Sequence, residues 1–216
     1  MRYAPAQEVL HSIDLQLAAG SFHFLIGPSG AGKTSLLRLL SLTQAPSSGR
    51  LVLFGRDVAQ LDRAESALLR RRVGVVFQDF CLLDHMSAFD NLALPLRLSG
   101  ASEEQISSHV SDMLAWLGLG EVIEKKPGEL SMGQRQLVAV GRAVIVRPSL
   151  LLADEPTSSV DPARSRRLMH LFLSLHQLGT AVVFATHNER LVRRHRFPVL
   201  EMTAGRLRRQ EPAAPP

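Results

Sequence analysis

Residues 27–35 read Gly-Pro-Ser-Gly-Ala-Gly-Lys-Thr-Ser, a match to the pattern G-x-x-x-x-G-K-[ST]. An apolar run from Ser21 to Ile26 precedes the match with strand character, and Leu36, Leu37, Leu39 and Leu40 follow it as an apolar helical face. That order of strand, glycine loop and helix is the context in which the pattern carries meaning. Gly27, Gly30 and Gly32 permit positive φ and leave no Cβ between the backbone amides and an anion. The loop formed with Pro28, Ser29, Ala31 and Ser35 can therefore wrap a phosphate chain. A helix opening near Lys33 adds the positive end of its dipole, the Lys33 ammonium reaches the outer phosphates, and the Thr34 hydroxyl is placed for Mg²⁺. By itself the stretch implies binding of a nucleoside triphosphate and nothing narrower.

The chain has 216 residues, enough for one α/β folding unit with a second lobe inserted into it. No apolar run approaches the length that crosses a bilayer, the start lacks a secretory pattern, and the single Cys81 excludes an internal disulfide. A reducing cytoplasm is the expected setting. The formal charge of +5 is concentrated late, in Arg190, Arg193, Arg194, Arg196, Arg206, Arg208 and Arg209. No aromatic residues alternate with these arginines, so they read as a solvated or membrane-facing edge and not as a single-strand nucleic-acid platform. No nucleic-acid partner is expected.

Outward from the loop, Met1-Arg2-Tyr3 reads as the tail of an edge strand whose beginning is absent, and Tyr3 is a candidate to stack on an adenine. Val9 to Leu17 alternates apolar and polar residues as a half-buried strand does. Arg50 to Phe54 reads as a strand closed by Gly55, and Arg63 to Arg72 as a helix. Val73 to Phe77 is an apolar run of buried-strand type that delivers Gln78 to the ligand crevice. From Phe80 to Pro148 the character turns helical, over Ser87–Leu98, Ser102–Leu117 and Gly133–Val146, which predicts an inserted helical lobe. Its apolar cluster of Cys81, Leu82, Leu83, Met86 and Phe89 reads either as core or as a groove for a partner.

Leu150 to Ala153 is a further buried strand, and it ends in Asp154-Glu155. An acid at a strand tip orients a Mg²⁺ shell, and its neighbour, pointing elsewhere, can take a proton from an attacking water. Asp161 to Leu178 reads as a helix with Pro162 at its first position. Ala181 to Ala185 is a further buried strand, and it brings His187 to the same crevice. The tail from Gln210 to Pro216 reads as disordered.

These motifs, in this order, resemble the ATP-binding cassette ATPases over nearly the whole length. The deciding stretch is Leu130-Ser131-Met132-Gly133-Gln134, which is similar to that family's signature L-S-G-G-[EQ]. Gly27–Thr34 matches its Walker A motif, Gln78 its Q-loop, Leu150–Glu155 its Walker B motif with the catalytic glutamate, Ser158–Asp161 its D-loop and His187 its switch histidine. The resemblance implies a P-loop NTPase fold, with a RecA-like core and antiparallel β subdomain at about 1–79 and 149–209 and an inserted helical subdomain at about 80–148.

It further implies ATP and Mg²⁺ as ligands, with Thr34, Gln78 and Asp154 around the metal, and Glu155, His187 and Gln78 as the catalytic group. In the family, two copies sandwich two ATP molecules head to tail, and Ser131 with the Gly133 amide meets the partner's γ-phosphate. Tyr3 falls where the family has its adenine-stacking aromatic. Met132 departs from the signature, as do Arg135 and Leu137, which predicts slow turnover, and the short first strand points to an overlooked upstream start. Phe77–Leu83 followed by Phe89–Leu96 is similar to the cell-division branch of the family. The lipoprotein-releasing and MacB-like branches are related here. The cell-division branch implies an integral membrane partner and a place on the cytoplasmic face of the bacterial inner membrane.

Overall fold

The computed structural model describes residues 9–210. Strands β1 (Phe22–Ile26), β4 (Val73–Val76), β5 (Leu150–Asp154), β6 (Ala181–Ala185), β7 (Val199–Thr203) and β8 (Arg206–Gln210) form one sheet in the order β4-β5-β6-β1-β7-β8. All neighbours are parallel except β7 and β8, which form an antiparallel hairpin. The parallel pairs need crossover connections, and α2 (Arg63–Arg71), α6 (Pro162–Gln177) and α7 (Glu189–His195) lie in those crossovers or lead into the strands.

The period-2 alternation of each strand divides the interior into two cores, one on each face of the sheet. Phe22, Phe24, Leu151, Ala153, Val182 and Phe184 face one side, where α6 and the helical lobe pack. Leu25, Leu150, Leu152, Val183 and Ala185 face the other, where α1 (Lys33–Leu40) packs. β5 and β6 are buried at every residue because they have strand neighbours on both sides and cover on both faces.

The helical lobe consists of α3 (Ala88–Ser99), α4 (Glu103–Leu117) and α5 (Met132–Val144), whose apolar stripes join the first core. Their starts are written in the sequence. Ser87 caps α3, while Ser102 with Gln105 and Ser131 with Gln134 form reciprocal capping boxes on α4 and α5. Gly100 and Gly118, both left-handed, end α3 and α4.

Four sequence expectations are corrected. Residues 9–17 form no strand among the described residues. They keep their alternation by packing Ile13, Leu15 and Leu17 on the second core, and the His11 N–H bonds the Gly205 carbonyl at 2.8 Å. The strand expected over Arg50–Phe54 shortens to β2 (Val52–Leu53), which turns through Phe54 and Gly55, both at positive φ, into an unanticipated β3 (Arg56–Asp57). β4 is half-buried because, among the described residues, it lies at the sheet edge with β5 as its one strand neighbour. Gln210, expected in the tail, ends β8.

Candidate functional site

Backbone register assembles the site. Leu25 pairs with Ala185, and Ala185 pairs with Asp154, so the C-terminal ends of β1, β6 and β5 stop side by side. Two bonds carry the ladder one residue further, from the Thr186 N–H to the Leu25 carbonyl at 3.1 Å and from the Glu155 N–H to the Ala185 carbonyl at 3.0 Å. On the next strand over, Val76 pairs with Ala153, which sets Gln78 two residues past that level at the same end. Gly27, Gln78, Glu155 and His187 therefore all leave the sheet at its carboxyl edge, the position at which open α/β sheets take their ligands.

The loop from Gly27 to Gly32 threads close to β7. At Gly27, with φ of 143°, a Cβ would collide with the Met202 carbonyl oxygen. Gly32, at φ of 105°, stands at the head of α1 with no side-chain cap. No backbone carbonyl among the described residues accepts the Lys33, Thr34 or Ser35 N–H, so the first turn of α1 keeps its donors directed outward. Pro28, Ser29 and Gly30 are exposed, whereas Ala31 and Gly32 are buried. Lys33 Nζ curls back over the loop, donating to the Gly27 carbonyl at 2.6 Å and the Pro28 carbonyl at 3.1 Å.

Asp154, only 2% exposed, is joined to the loop's helix by the Thr34 hydroxyl, which donates to its Oδ2 at 2.7 Å. Glu155 sits at a φ of 50°, unusual for a residue with a side chain, and its carboxylate meets Thr186 and His187 whereas that of Asp154 meets Thr34. Its Oε1 lies 2.7 Å from His187 Nδ1, and its Oε2 accepts the Thr186 hydroxyl at 3.3 Å. The glutamate is largely shielded and the histidine largely open, at 13% and 76% side-chain exposure, so His187 can swing while Glu155 stays.

The structure thus brings together Lys33, Thr34, Asp154, Glu155 and His187. Gln78 arrives at the same edge and is exposed. Ser131 and Gly133, at the head of α5, make no hydrogen bond with residues 27–35 among the described residues. Gly133 instead approaches the stretch after Glu155, where a Cβ on it would stand 2.9 Å from the Ser159 carbonyl oxygen. In that stretch Asp161 caps α6, and the Arg164 N–H holds its carboxyl below the ordinary range. Tyr3 lies outside the described residues. Thr186 escaped the sequence reading, and its signal was a hydroxyl residue placed directly before the strand-tip histidine.

Two protein groups, the Thr34 hydroxyl and the Asp154 carboxylate, fit Mg²⁺, which keeps several waters and takes few protein ligands when phosphates supply the rest. Among the described residues there is no cluster of three or more metal-ligating side chains of the kind a resident ion uses.

Comparison with known proteins gives the family and the fold. The ABC transporter family profile matches residues 10–158. The cell division ATP-binding protein FtsE of Escherichia coli K12 is 37% identical over 205 residues, covering 95% of this chain and 92% of that protein. The methionine import ATP-binding protein MetN of Xylella fastidiosa is 39% identical over 199 residues, covering 92% of this chain. The chain spans 59% of the length of that MetN. Among solved structures, the dimeric post-hydrolysis state of the ATP-binding cassette MJ0796 bound to ADP and Pi superposes with a TM-score of 0.90 at 29% identity, covering 98% of this chain and 95% of that one. FtsE and MetN match at similar identity, so neither is singled out. The chain belongs to the ABC transporter family and has the fold of its ABC ATPase cassettes.

Proposed function

We propose that the chain is the ATP-hydrolysing subunit of a bacterial inner-membrane complex, and that it acts as the FtsE proteins do, with an integral membrane partner of the FtsX type. The observation that carries the catalytic part is the pairing of two short contacts at one sheet edge, Thr34 to Asp154 and His187 to Glu155, each at 2.7 Å. In this reading the amides of residues 27–35 and Lys33 bind the triphosphate of ATP. Mg²⁺ held by Thr34 and Asp154, with Gln78 nearby, would neutralise charge on the phosphates. Glu155 takes the proton of the attacking water, and His187 moves from Glu155 toward the γ-phosphate as the site closes.

The chain divides, in this proposal, into a core with its β subdomain at about 1–79 and 149–209 and a helical subdomain at about 80–148. Ser131 and Gly133 serve the nucleotide of a second copy, because they stand apart from the phosphate loop of their own chain. The fold's match to a dimeric cassette supports that pairing. Tyr3 is proposed to stack on the adenine. No described helix is long and apolar enough to cross a membrane, so attachment at the cytoplasmic face would come through the partner. The FtsE assignment rests on Phe77–Leu83 and Phe89–Leu96 together with a match that covers 92% of FtsE against 59% of MetN.

Two measurements test the reading. Turnover per molecule should rise steeply with protein concentration and then level off as dimers form. A rate independent of dilution in a strictly monomeric sample would remove the two-copy mechanism. Affinity capture from membranes should retain a membrane protein with a large external domain. Capture of a lipoprotein-releasing or methionine-importing permease instead would move the chain to that branch.

A further inference from the structure

The segment that carries Gln78 leaves β4 through a sharp bend. The Phe80 N–H donates to the Phe77 carbonyl at 3.1 Å and the Cys81 N–H to the Asp79 carbonyl at 2.7 Å, which closes a three-residue turn about Phe80. Phe80 and Cys81 both hold positive φ, at 60° and 47°. Neither is glycine, and a turn of this hand is rare and strained for residues with side chains. Such conformations persist only where the surroundings over-determine them.

The surroundings here come from α5 and α3. Arg142 lies about three turns along α5 from Ser131. Its Nη2 donates to the Phe80 carbonyl at 3.0 Å, and its Nη1 makes a longer contact to Asn91 Oδ1 at 3.4 Å. Asn91, with no exposed surface, accepts the Leu83 N–H at 2.9 Å. It donates in turn to the Leu83, Met86 and Ser87 carbonyls at 3.2, 3.3 and 3.0 Å. Burial pulls the Arg142 guanidinium below its ordinary value, with the nearby Cys81 acting the other way, and no carboxylate contributes. A half-buried cation whose hydrogen bonds go to a backbone carbonyl and an amide, with no carboxylate, loses part of its hydration without an ion pair to offset it.

We propose that Arg142 is a positioning residue for Gln78: with Asn91 it clamps the Phe80–Cys81 turn, and so fixes the end of β4 against α5, the helix that Ser131 caps. Its catalytic consequence rests on the ATPase reading above, whereas the clamp does not. Since α5 is one continuous helix from Met132 to Val144, the head that carries Gly133 and the turn that follows Gln78 are tied to a single rigid element.

Cys81 is the chain's only cysteine, it is exposed, and it lies within the clamped turn, so its thiol reports on the clamp directly. The experiment compares the full-length wild type with Arg142→Met and Arg142→Lys. It reads the rate of Cys81 modification by a chromogenic disulfide reagent, at a pH high enough that the rate no longer varies with pH so that loss of the neighbouring cation does not itself change it, together with kcat and KM for Mg-ATP and thermal melting. Arg142→Met is expected to speed labelling about fivefold or more, with Arg142→Lys between it and the wild type. It is expected to lower kcat about tenfold while KM moves less than about twofold, a split that mere loss of folded protein would not give.

A folded Arg142→Met whose labelling rate stays within about twofold of wild type overturns the proposal, whatever its kcat does. Faster labelling with unchanged kcat overturns the link to Gln78. If Arg142→Met does not fold, Arg142→Lys carries the test, with labelling faster by about twofold or more as the supporting result. A wild type that hydrolyses no ATP removes the ATPase reading, and the labelling comparison still decides the clamp.

Discussion

The two glycine-bearing motifs of this chain are built in opposite ways. Residues 27–35 are tied into their own molecule: Gly27 touches β7, Thr34 bonds Asp154, and Lys33 lies on its own loop carbonyls. Residues 131–134 make their side-chain hydrogen bonds only with one another, through the Ser131–Gln134 capping box, and although Gly133 packs near the Ser159 carbonyl they present Met132 at 61% exposure. A motif whose chemistry is complete within one chain needs internal contacts to hold it. A motif that keeps its surface free is shaped for something outside the chain, and in the proposed mechanism that is a second copy's nucleotide.

The comparison can be broken at either motif. Glu155→Gln keeps the shape of the shielded side chain but removes the base. It should lower kcat by about 10²- to 10³-fold while ATP binding persists, and ATP should hold the variant dimeric in size-exclusion chromatography. Near wild-type turnover would take the base role from Glu155. Gly27→Ala sets a Cβ against a backbone carbonyl at a φ of 143°, so it should cost about 2–4 kcal/mol in denaturant unfolding and lose nucleotide affinity as well. A stability unchanged by that substitution would mean that the loop is not tied to β7.

The same test at the signature should look different. Ser131→Ala removes a cap and should cost about 1 kcal/mol of stability, but its larger effect should be on turnover at concentrations where dimers form. If turnover fell equally in monomeric and dimeric samples, Ser131 would be serving its own chain. The smallest effect is expected from Met132→Gly. Shortening an exposed side chain at a contact should raise turnover by about two- to fivefold with little change in melting, and a fall would show that the methionine aids the contact.

Much of this was legible in the sequence because several signals coincided. Around Lys33 the glycine spacing, the preceding strand and the leucine face all point one way, and Ser102 with Gln105 marks the start of α4 to the residue. β5 and β6 read as buried because a centrally paired strand has no polar face to confuse the pattern. What failed did so for identifiable reasons. α7 and β8 are rich in arginine, which hid Leu207, and the alternation of Leu200 and Met202 about Glu201 in β7 spans only five residues. Residues 9–17 have a strand's pattern but lack its ladder, because period-2 burial needs only a surface to lie on.

Edge and centre could not be told apart for β4, since that depends on a neighbour distant in the chain. At the site, the short contact between His187 and Glu155 was not predictable, because it depends on Glu155 adopting a left-handed backbone. Arg142 gave no signal at all. Its importance lies in a carbonyl 62 positions away.

β8 is the outer strand of the sheet among the described residues, and arginine occupies positions 206, 208 and 209 along its five residues. An open strand border invites another molecule's strand to add to it, and repeated positive charge is one of the commonest deterrents. The late cluster of cations, read from the sequence as a solvated or membrane-facing edge, therefore also acts as a guard on solubility. Replacing these three arginines with serine should leave the fold intact and make concentrated samples polymerise through their borders.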